Sequence, residues 1–282
     1  MSTTEENITI DVDGDRIAGT FVAPGTLIPG VLFAHGWGGS REQYLARARE
    51  IAALGSVCLA FDLRGHAGTQ SQQAKVSRET NLRDLVAAYD RLVAHEDVDP
   101  DAICVVGSSY GGYLATILTT LRPVRWLALR APALYLDSDW DSPKLQLHRD
   151  QDLKTYRRSV VPPRDNRALR ALQQFGGDVL LVESEHDKII PRAVISSYQE
   201  AARQVKSMTM RCIAGADHGL SGEADQRAYT QLLLGWFKEM LLGARRGAVQ
   251  PAAADGAAPE RPLPTKKALS AATTAADARP PA

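Results

Sequence analysis

Ser109 is the residue of this sequence best placed to do chemistry. It is the centre of Gly107-Ser108-Ser109-Tyr110-Gly111, a Gly-x-Ser-x-Gly pattern. A short apolar run over residues 102–106 precedes the pattern, and a helical run begins after it at about residue 113. A serine at a sharp turn from a buried strand into a helix has an exposed hydroxyl, and glycines let the two backbones approach closely. The pattern therefore predicts a nucleophile at Ser109, against the plainer alternative of a small-residue turn that contains serine.

A serine hydroxyl needs a base to take its proton, and that base needs an acid to hold it in the right tautomer. Asp187 and His218 follow Ser109 in that order along the chain. Each comes just after a predicted buried strand, over residues 179–182 and 208–213 respectively. Because the carboxyl ends of parallel strands meet at one edge of a sheet, we expect both side chains to lie near Ser109.

Other acids and histidines compete for these two roles. Glu183 and Glu185 are alternative acids, but Asp187 lies deepest in the loop after the strand, and Asp217 is too close to His218 in the chain to orient its ring. A lone histidine is usually a surface or core residue rather than a catalytic one. Of the other histidines, His35 lies in a glycine-rich loop, and His66 precedes the nucleophile at a position where it could contact substrate. His95 is expected at a helix end, His148 in a cap and His186 beside the acid.

The elements that must position these residues alternate between strand and helix. Buried strands are predicted over residues 31–34, 56–61, 102–106, 126–131, 179–182 and 208–213, and helices over about 41–54, 79–95, 191–204 and 224–242. This alternation predicts an α/β fold with a mostly parallel central sheet and helices on both faces. Asp13-Gly14-Asp15 predicts an N-terminal β-hairpin, and Ser40 is expected to cap the first helix.

The alternation lapses over residues 135–177, which are charged and contain three prolines. A structureless loop of that length is unusual inside a compact domain, so we interpret this stretch as a small cap or lid with one or two helices. Tyr135, Trp140, Leu145 and Leu147 either line an apolar pocket or form the small core of the cap.

Composition limits the function classes. The 282 residues carry 33 basic and 33 acidic side chains, which disfavours a nucleic-acid-binding protein. Residues 1–7 are polar, and no apolar run approaches the roughly 18 residues of a membrane span, so a cytoplasmic protein with no membrane partner is expected. The three cysteines, Cys58, Cys104 and Cys212, lie in apolar runs and are expected to be reduced core residues. One folded domain is predicted over residues 1–246, followed by a disordered, alanine- and proline-rich tail over 247–282.

The order Ser109, Asp187, His218, with the glycine-rich loop His35-Gly36-Trp37-Gly38-Gly39 after an early strand, resembles the α/β-hydrolase superfamily. The resemblance covers residues 14–242. Residues 62–68 resemble the superfamily's D-x-R-G-x-G-x-S loop, although Ala67 looks inserted and Thr69 replaces the serine. That loop is usually structural in the superfamily.

The resemblance implies an oxyanion hole formed by the backbone N–H groups of Trp37 and Tyr110, whose side chains would be free to shape an acyl pocket. Ser109-Tyr110-Gly111-Gly112-Tyr113 looks like the nucleophile turn of the prolyl oligopeptidase group. The size of the chain is more similar to dienelactone-hydrolase-like esterases and small bacterial carboxylesterases. Many dienelactone hydrolases have cysteine where this chain has Ser109, which favours a general esterase.

The sequence therefore predicts a serine hydrolase that cleaves small carboxylic esters through an acyl-enzyme. The alternatives are a peptidase or amidase, an acyltransferase and a non-catalytic binding module, the last of which is disfavoured because all three reactive residues are present. No phosphate loop, dinucleotide-binding pattern or metal-ligand cluster is found, so no cofactor and no metal are predicted.

Overall fold

A computed structural model describes residues 4–23 and 28–248 of the chain. The chain divides into two units, residues 1–243 and 244–282. Of the second unit only residues 244–248, the end of the last helix, are described. The tail predicted over 247–282 therefore lies almost entirely outside the described residues.

The described strands form one eight-stranded sheet. Their bounds are β1 Thr4–Val12, β2 Asp15–Ala23, β3 Ile28–Ala34, β4 Val57–Phe61, β5 Val98–Ser108, β6 Trp126–Arg130, β7 Asp178–Ser184 and β8 Ser207–Ile213. They lie in the order β1-β2-β4-β3-β5-β6-β7-β8. Strand β2 is antiparallel to β1 and to β4, and all pairings from β4 to β8 are parallel. The predicted mostly parallel α/β sheet and its N-terminal hairpin are confirmed.

The described α-helices connect these strands. Their bounds are α1 Glu42–Ala52, α2 Arg78–Val93, α3 Tyr110–Leu118, α4 Lys144–Asp150, α5 Leu153–Tyr156, α6 Arg167–Gln174, α7 Arg192–Ala201 and α8 Glu223–Ala248. Helices cover both faces of the sheet. On one face α2, α3, α6 and α7 share a continuous apolar core with the strands. On the other face Tyr44 of α1 packs on Phe33, and Phe237 of α8 packs on Trp126.

The start of α1 differs from the sequence prediction. Helix α1 begins at Glu42, and Ser40 does not cap it with its side chain. Instead, the carboxylate of Asp62 accepts a hydrogen bond from the backbone N–H of Arg41 at 2.7 Å and another from the Arg41 guanidinium at 2.8 Å. A carboxylate supplied from the loop after β4 therefore satisfies the first turn, a long-range contact that local sequence does not reveal.

Residues 135–177 contain three short α-helices, α4 to α6, where one or two were expected. Leu169 and Leu172 of α6 are buried in the main apolar core, together with Tyr135. Leu147 is buried and Trp140 is partly buried, whereas Leu145 is exposed. Tyr135 therefore belongs to the core of the whole domain. That this segment acts as a lid remains a prediction.

The cysteines divide into two groups. Cys58 and Cys104 are buried and free, as expected. Cys212 is also free but exposed, so its predicted core position is wrong. It lies on β8, the last strand of the sheet, where most side chains are exposed or half-buried. An apolar-looking strand at a sheet edge has only one neighbour and buries less surface than a central strand.

Candidate active site

The six parallel strands bring the sequence-predicted residues to one edge of the sheet. The glycine-rich loop follows β3, Ser109 follows β5, the Asp187 loop follows β7 and the His218 loop follows β8. All four segments leave the carboxyl ends of parallel strands, which is where ligands bind in sheets of this kind.

Ser109 is held in a strained backbone conformation, with φ 50° and ψ −114°. A non-glycine residue with positive φ persists only where its surroundings fix it. The Ser109 N–H donates to the carbonyl of Arg130 at 2.9 Å, and the Ser109 carbonyl accepts from the N–H groups of Tyr113 and Ala133 at 3.1 and 3.0 Å. Three backbone hydrogen bonds, to β6, to α3 and to the loop after β6, therefore hold the sharp turn predicted at this serine.

His218 lies between Ser109 and Asp187. Its Nε2 atom is 3.1 Å from Ser109 Oγ, and its Nδ1 atom is 2.7 Å from Asp187 Oδ2. The carboxylate fixes the proton of the neutral imidazole on Nδ1, which leaves Nε2 free to accept the serine proton. The structure thus brings together all three residues that the sequence predicted to react, although they are 31 and 109 positions apart in the chain.

Hydrogen bonds also hold the carboxylate of Asp187 in place. Its second oxygen, Oδ1, accepts from the N–H groups of Ile189 and Ile190, each at 2.8 Å. Burial would raise the pKa of Asp187, but the hydrogen bonds from His218, Ile190 and Ile189 outweigh it and hold the pKa below its ordinary value. The acid is therefore ionised under the conditions in which a neutral histidine acts as a base.

The competing acids contact other groups. Glu183 pairs with Arg192, and Glu185 accepts from the backbone N–H of Gly215 at 2.7 Å. Asp217 caps the turn that follows it by binding the N–H and hydroxyl of Ser221. Each of these contacts holds a loop in place, and Asp187 is the carboxylate that holds the His218 ring.

His35 and His66 are buried and lie next to the glycine-rich loop. His35 Nε2 accepts from the backbone N–H of Leu63 at 3.0 Å, so Nδ1 carries the proton and donates to the carbonyl of Gly36 at 2.8 Å. Burial lowers the pKa of His35 to about 4. The ring of His66 packs edge-on against Trp37. His35 is therefore a neutral group that supports this loop, and His66 packs against it.

The loop after β3 passes directly beside the reactive serine. A Cβ atom on Gly36 would lie 3.3 Å from the Cβ atom of Ser109, so only glycine fits there without displacing a neighbour. Trp37 comes next in the loop. Tyr110 is the first residue of α3, so its N–H has no acceptor within the helix. The residue before Trp37 thus lies beside Ser109, and the N–H of Tyr110, which has no acceptor within the helix, follows Ser109 in the chain.

The resemblance implied that the side chains of Trp37 and Tyr110 are both free to shape an acyl pocket, and the two side chains differ in this respect. Trp37 is half-buried. Tyr110 is completely buried, and its hydroxyl donates to Asn81 of α2 at 3.1 Å. The prediction is wrong for Tyr110, because this buried side chain is directed at α2, where its hydroxyl binds Asn81.

Lys144 was not predicted to lie near the site. This buried side chain places its ammonium 3.9 Å from the centre of the Trp37 indole, with the rings of Tyr110 and Tyr135 at 4.8 and 5.2 Å. A cation against aromatic faces is an attractive arrangement in a buried site. Lys144 begins α4, so this contact connects the segment at residues 135–177 to the glycine-rich loop. The surrounding sequence gives no signal for it.

Arg130 is a second residue that sequence analysis missed. It is the last residue of β6 and lies opposite Ser108 in the β5–β6 register. Its Nη1 atom donates to the carbonyl of His218 at 2.7 Å, and its Nε atom donates to Ser108 Oγ at 3.2 Å. The one signal for Arg130 in the sequence was that a charged residue ends a predicted apolar strand at the carboxyl edge of the sheet.

The residues that the structure describes contain no cluster of three or more histidine, cysteine, aspartate or glutamate side chains that could hold a metal ion. Among the same residues, no helix is both long and apolar enough to cross a membrane.

The sequence matches the model of a known family, and the fold matches solved structures. A model of the prolyl oligopeptidase family matches residues 42–244. No curated protein sequence matches the chain.

Several solved structures share the fold. A dienelactone hydrolase from Anabaena variabilis is 22% identical, with 84% of this chain and 98% of that chain covered and a TM-score of 0.58. Est1E from Butyrivibrio proteoclasticus with bound ferulic acid is 18% identical, with 83% and 99% covered and a TM-score of 0.65. Acylaminoacyl peptidase from Pyrococcus horikoshii is 13% identical, with 84% of this chain but 42% of that chain covered and a TM-score of 0.63. At these identities the likeness shows the α/β-hydrolase fold alone.

Proposed function

The chain belongs to the prolyl oligopeptidase family and is a serine hydrolase, and within that class we propose that it cleaves carboxylic esters through an acyl-enzyme on Ser109. The observation that carries this proposal is the hydrogen-bonded series from Ser109 Oγ through His218 to the Asp187 carboxylate. This arrangement supports a nucleophile, a general base and an orienting acid in those three positions.

In the proposed reaction, His218 Nε2 takes the proton of Ser109 as Oγ attacks the ester carbonyl. The negative charge that develops on the carbonyl oxygen is stabilised by the backbone N–H groups of Trp37 and Tyr110, each contributing a few kcal/mol. The C–O bond then breaks, the alcohol leaves with the proton from His218, and Ser109 keeps the acyl group. A water molecule that loses its proton to His218 attacks the acyl-enzyme, the acyl–Oγ bond breaks, and Ser109 leaves with the proton from His218 as the acid is released.

The choice of esters over peptides is supported by the solved relatives. The dienelactone hydrolase and Est1E are matched over almost their whole length, and the second of these has ferulic acid bound. The acylaminoacyl peptidase is matched over less than half of its own chain. A peptidase is the second candidate, since the family match itself is to prolyl oligopeptidases. Both reactions would use the same three residues.

The test compares short-chain p-nitrophenyl esters with aminoacyl p-nitroanilides, using the wild-type protein and a Ser109→Ala variant. Ester turnover that disappears in the variant supports the proposal, and the ratio of ester to anilide rates decides between esterase and peptidase. Labelling of wild type by a fluorophosphonate reports the activated serine independently of substrate choice. A folded wild type that cleaves neither substrate and resists the label would refute catalysis and favour a binding module.

A further inference from the structure

Arg130 contacts the backbones of both the nucleophile and the base. Its carbonyl accepts from the N–H of Ser109 at 2.9 Å, and its guanidinium donates to the carbonyl of His218 at 2.7 Å. The side chain is buried, with 7% of the residue exposed. A buried guanidinium that donates to a carbonyl forms a charge-assisted hydrogen bond, which is stronger than one between neutral groups.

The sheet alone does not fix the distance between these two residues. Ser109 follows β5 and His218 follows β8, and two strands, β6 and β7, lie between them. The His218 loop also leaves an edge strand whose side chains are mostly exposed. Arg130, at the end of β6, spans this gap with its side chain. The guanidinium therefore links the loop that bears the base to the strand next to the nucleophile.

The orientation of the guanidinium is itself restrained. Its Nε atom donates to Ser108 Oγ at 3.2 Å, and its Cζ atom lies 5.9 Å from the centre of the Tyr229 ring of α8. Asp187 holds His218 from the other side, at Nδ1. His218 is thus held at two points: Asp187 binds its imidazole ring, and Arg130 binds its main-chain carbonyl.

We propose that Arg130 is a positioning residue, which holds the main chain of His218 so that Nε2 remains at hydrogen-bonding distance from Ser109 Oγ. This inference rests on the proposed function. Proton transfer between the base and the serine depends on that distance, and a misplacement of about 1 Å costs on the order of 100-fold in rate. The effect should fall on the chemical step and not on substrate binding, because the buried guanidinium of Arg130 is directed at Ser108 Oγ and the His218 carbonyl.

The experiment measures kcat and KM for p-nitrophenyl acetate in wild type, Arg130→Ala and Arg130→Met, with Arg122→Ala as control. Arg122 pairs with Asp90 at the surface and precedes β6, whose opposite end carries Arg130. We expect kcat to fall about 100-fold in both Arg130 variants, with KM within about threefold of wild type. Millimolar guanidinium chloride should raise the kcat of Arg130→Ala at least tenfold, because the ion fits the space vacated by the side chain. Sodium chloride at equal concentration should recover none, and neither salt should change Arg122→Ala.

Rescue by guanidinium separates positioning from a purely structural role, because a protein that has lost part of its fold is not restored by a small denaturing ion. Arg130→Met keeps most of the buried volume of the side chain, so it is the variant whose kcat is compared with wild type if Arg130→Ala does not fold. A folded Arg130 variant with wild-type kcat would overturn the inference, as would a loss of kcat that guanidinium does not recover in folded Arg130→Ala. Failure of the proposed function is recognised separately, since wild type itself would then show neither ester turnover nor fluorophosphonate labelling.

Discussion

Gly111 lies directly against the end of β3: a Cβ atom on this glycine would be 2.2 Å from the carbonyl oxygen of Ala34. The first turn of α3 and the carboxyl end of β3 therefore touch through their backbones. Ser109 begins that turn, and the loop with Gly36 and Trp37 begins at that strand end. Together with the parallel pairing of β3 and β5, the contact between Gly111 and Ala34 keeps the serine and the loop side by side.

Replacing Gly111 by alanine should force these two backbones apart. We expect Gly111→Ala to lower the free energy of unfolding by about 3 kcal/mol and to abolish ester turnover. Gly235→Ala is the matched control, since Gly235 lies in α8 with no atom within 4 Å of an added Cβ. Alanine is the better helix former, so the control should gain about 0.5 to 1 kcal/mol. Urea unfolding of the two variants measures both changes, and a wild-type midpoint for Gly111→Ala would contradict the close contact.

Asp187→Asn should reverse the tautomer of His218. The two backbone N–H groups of Ile189 and Ile190 would keep the amide oxygen at the Oδ1 position, which turns the amide NH₂ toward His218 Nδ1. Nδ1 must then accept, so Nε2 carries the proton and cannot take one from Ser109. We expect kcat to fall about 10³- to 10⁴-fold with the fold intact.

The control for this substitution is Asp217→Asn, which changes the neighbour of His218 in the sequence. Asp217 binds Ser221 and not the imidazole ring, so kcat should stay within about twofold of wild type. Steady-state kinetics on p-nitrophenyl acetate measures both variants. Equal losses in the two would mean that the local charge, and not the hydrogen bond to Nδ1, determines activity.

The sequence alone was enough to predict the residues that meet at the sheet edge, because the local sequence around each of them marks its position. An apolar run followed by a polar loop marks a strand end, and parallel strands place their carboxyl ends together. That rule located Ser109, Asp187 and His218 although they are far apart in the chain. The same local logic predicted the N-terminal hairpin from Asp13-Gly14-Asp15.

Contacts between distant segments could not be predicted in this way. Asp62 caps α1 from the loop after β4, in place of Ser40. Arg130 binds the carbonyl of His218 across 88 positions, and Lys144 reaches Trp37 from another loop. Cys212 looks like a core residue until the strand order shows that β8 is at the sheet edge. Each of these depends on which elements become neighbours, which only the three-dimensional structure determines.

Acid should destabilise the protein through His35. Burial lowers the pKa of this imidazole from 6.5 to about 4. Between those pH values the unfolded chain binds a proton that the folded chain does not, so unfolding becomes more favourable as the pH falls. A difference of this size corresponds to at most about 3 kcal/mol, present above pH 6.5 and lost on the way to pH 4.

The variant His35→Gln isolates this contribution, because its amide oxygen can accept from Leu63 N–H but does not titrate. Urea unfolding at pH 7 and at pH 4.5 should show a smaller loss of stability in the variant than in wild type. His66, whose pKa burial also lowers, is present in both proteins and cancels in the comparison. The same pH dependence in both would show that His35 is not the group responsible.

Tyr135 is a buried phenol among cations. Burial would raise the pKa of its hydroxyl, but Lys144 and Arg157 outweigh that effect and lower the pKa below its ordinary value of 10. The guanidinium of Arg157 lies 4.8 Å from the centre of the Tyr135 ring, and that of Arg78 lies at 6.0 Å. In contrast, burial raises the pKa of Tyr110, Tyr113 and Tyr198, which pack nearby.

Because the surrounding cations stabilise the phenolate, Tyr135 should ionise at a lower pH than the other buried tyrosines. The absorbance at 295 nm, followed from pH 7 to pH 10 in the folded protein, should show a tyrosine that titrates below pH 10. The step should disappear in Tyr135→Phe and persist in the control Tyr113→Phe, whose hydroxyl titrates only at higher pH. Replacing Lys144 by methionine should move the step to higher pH, because the phenolate loses the cation that lowers its pKa most. A step that survives in Tyr135→Phe would assign the early titration to another tyrosine.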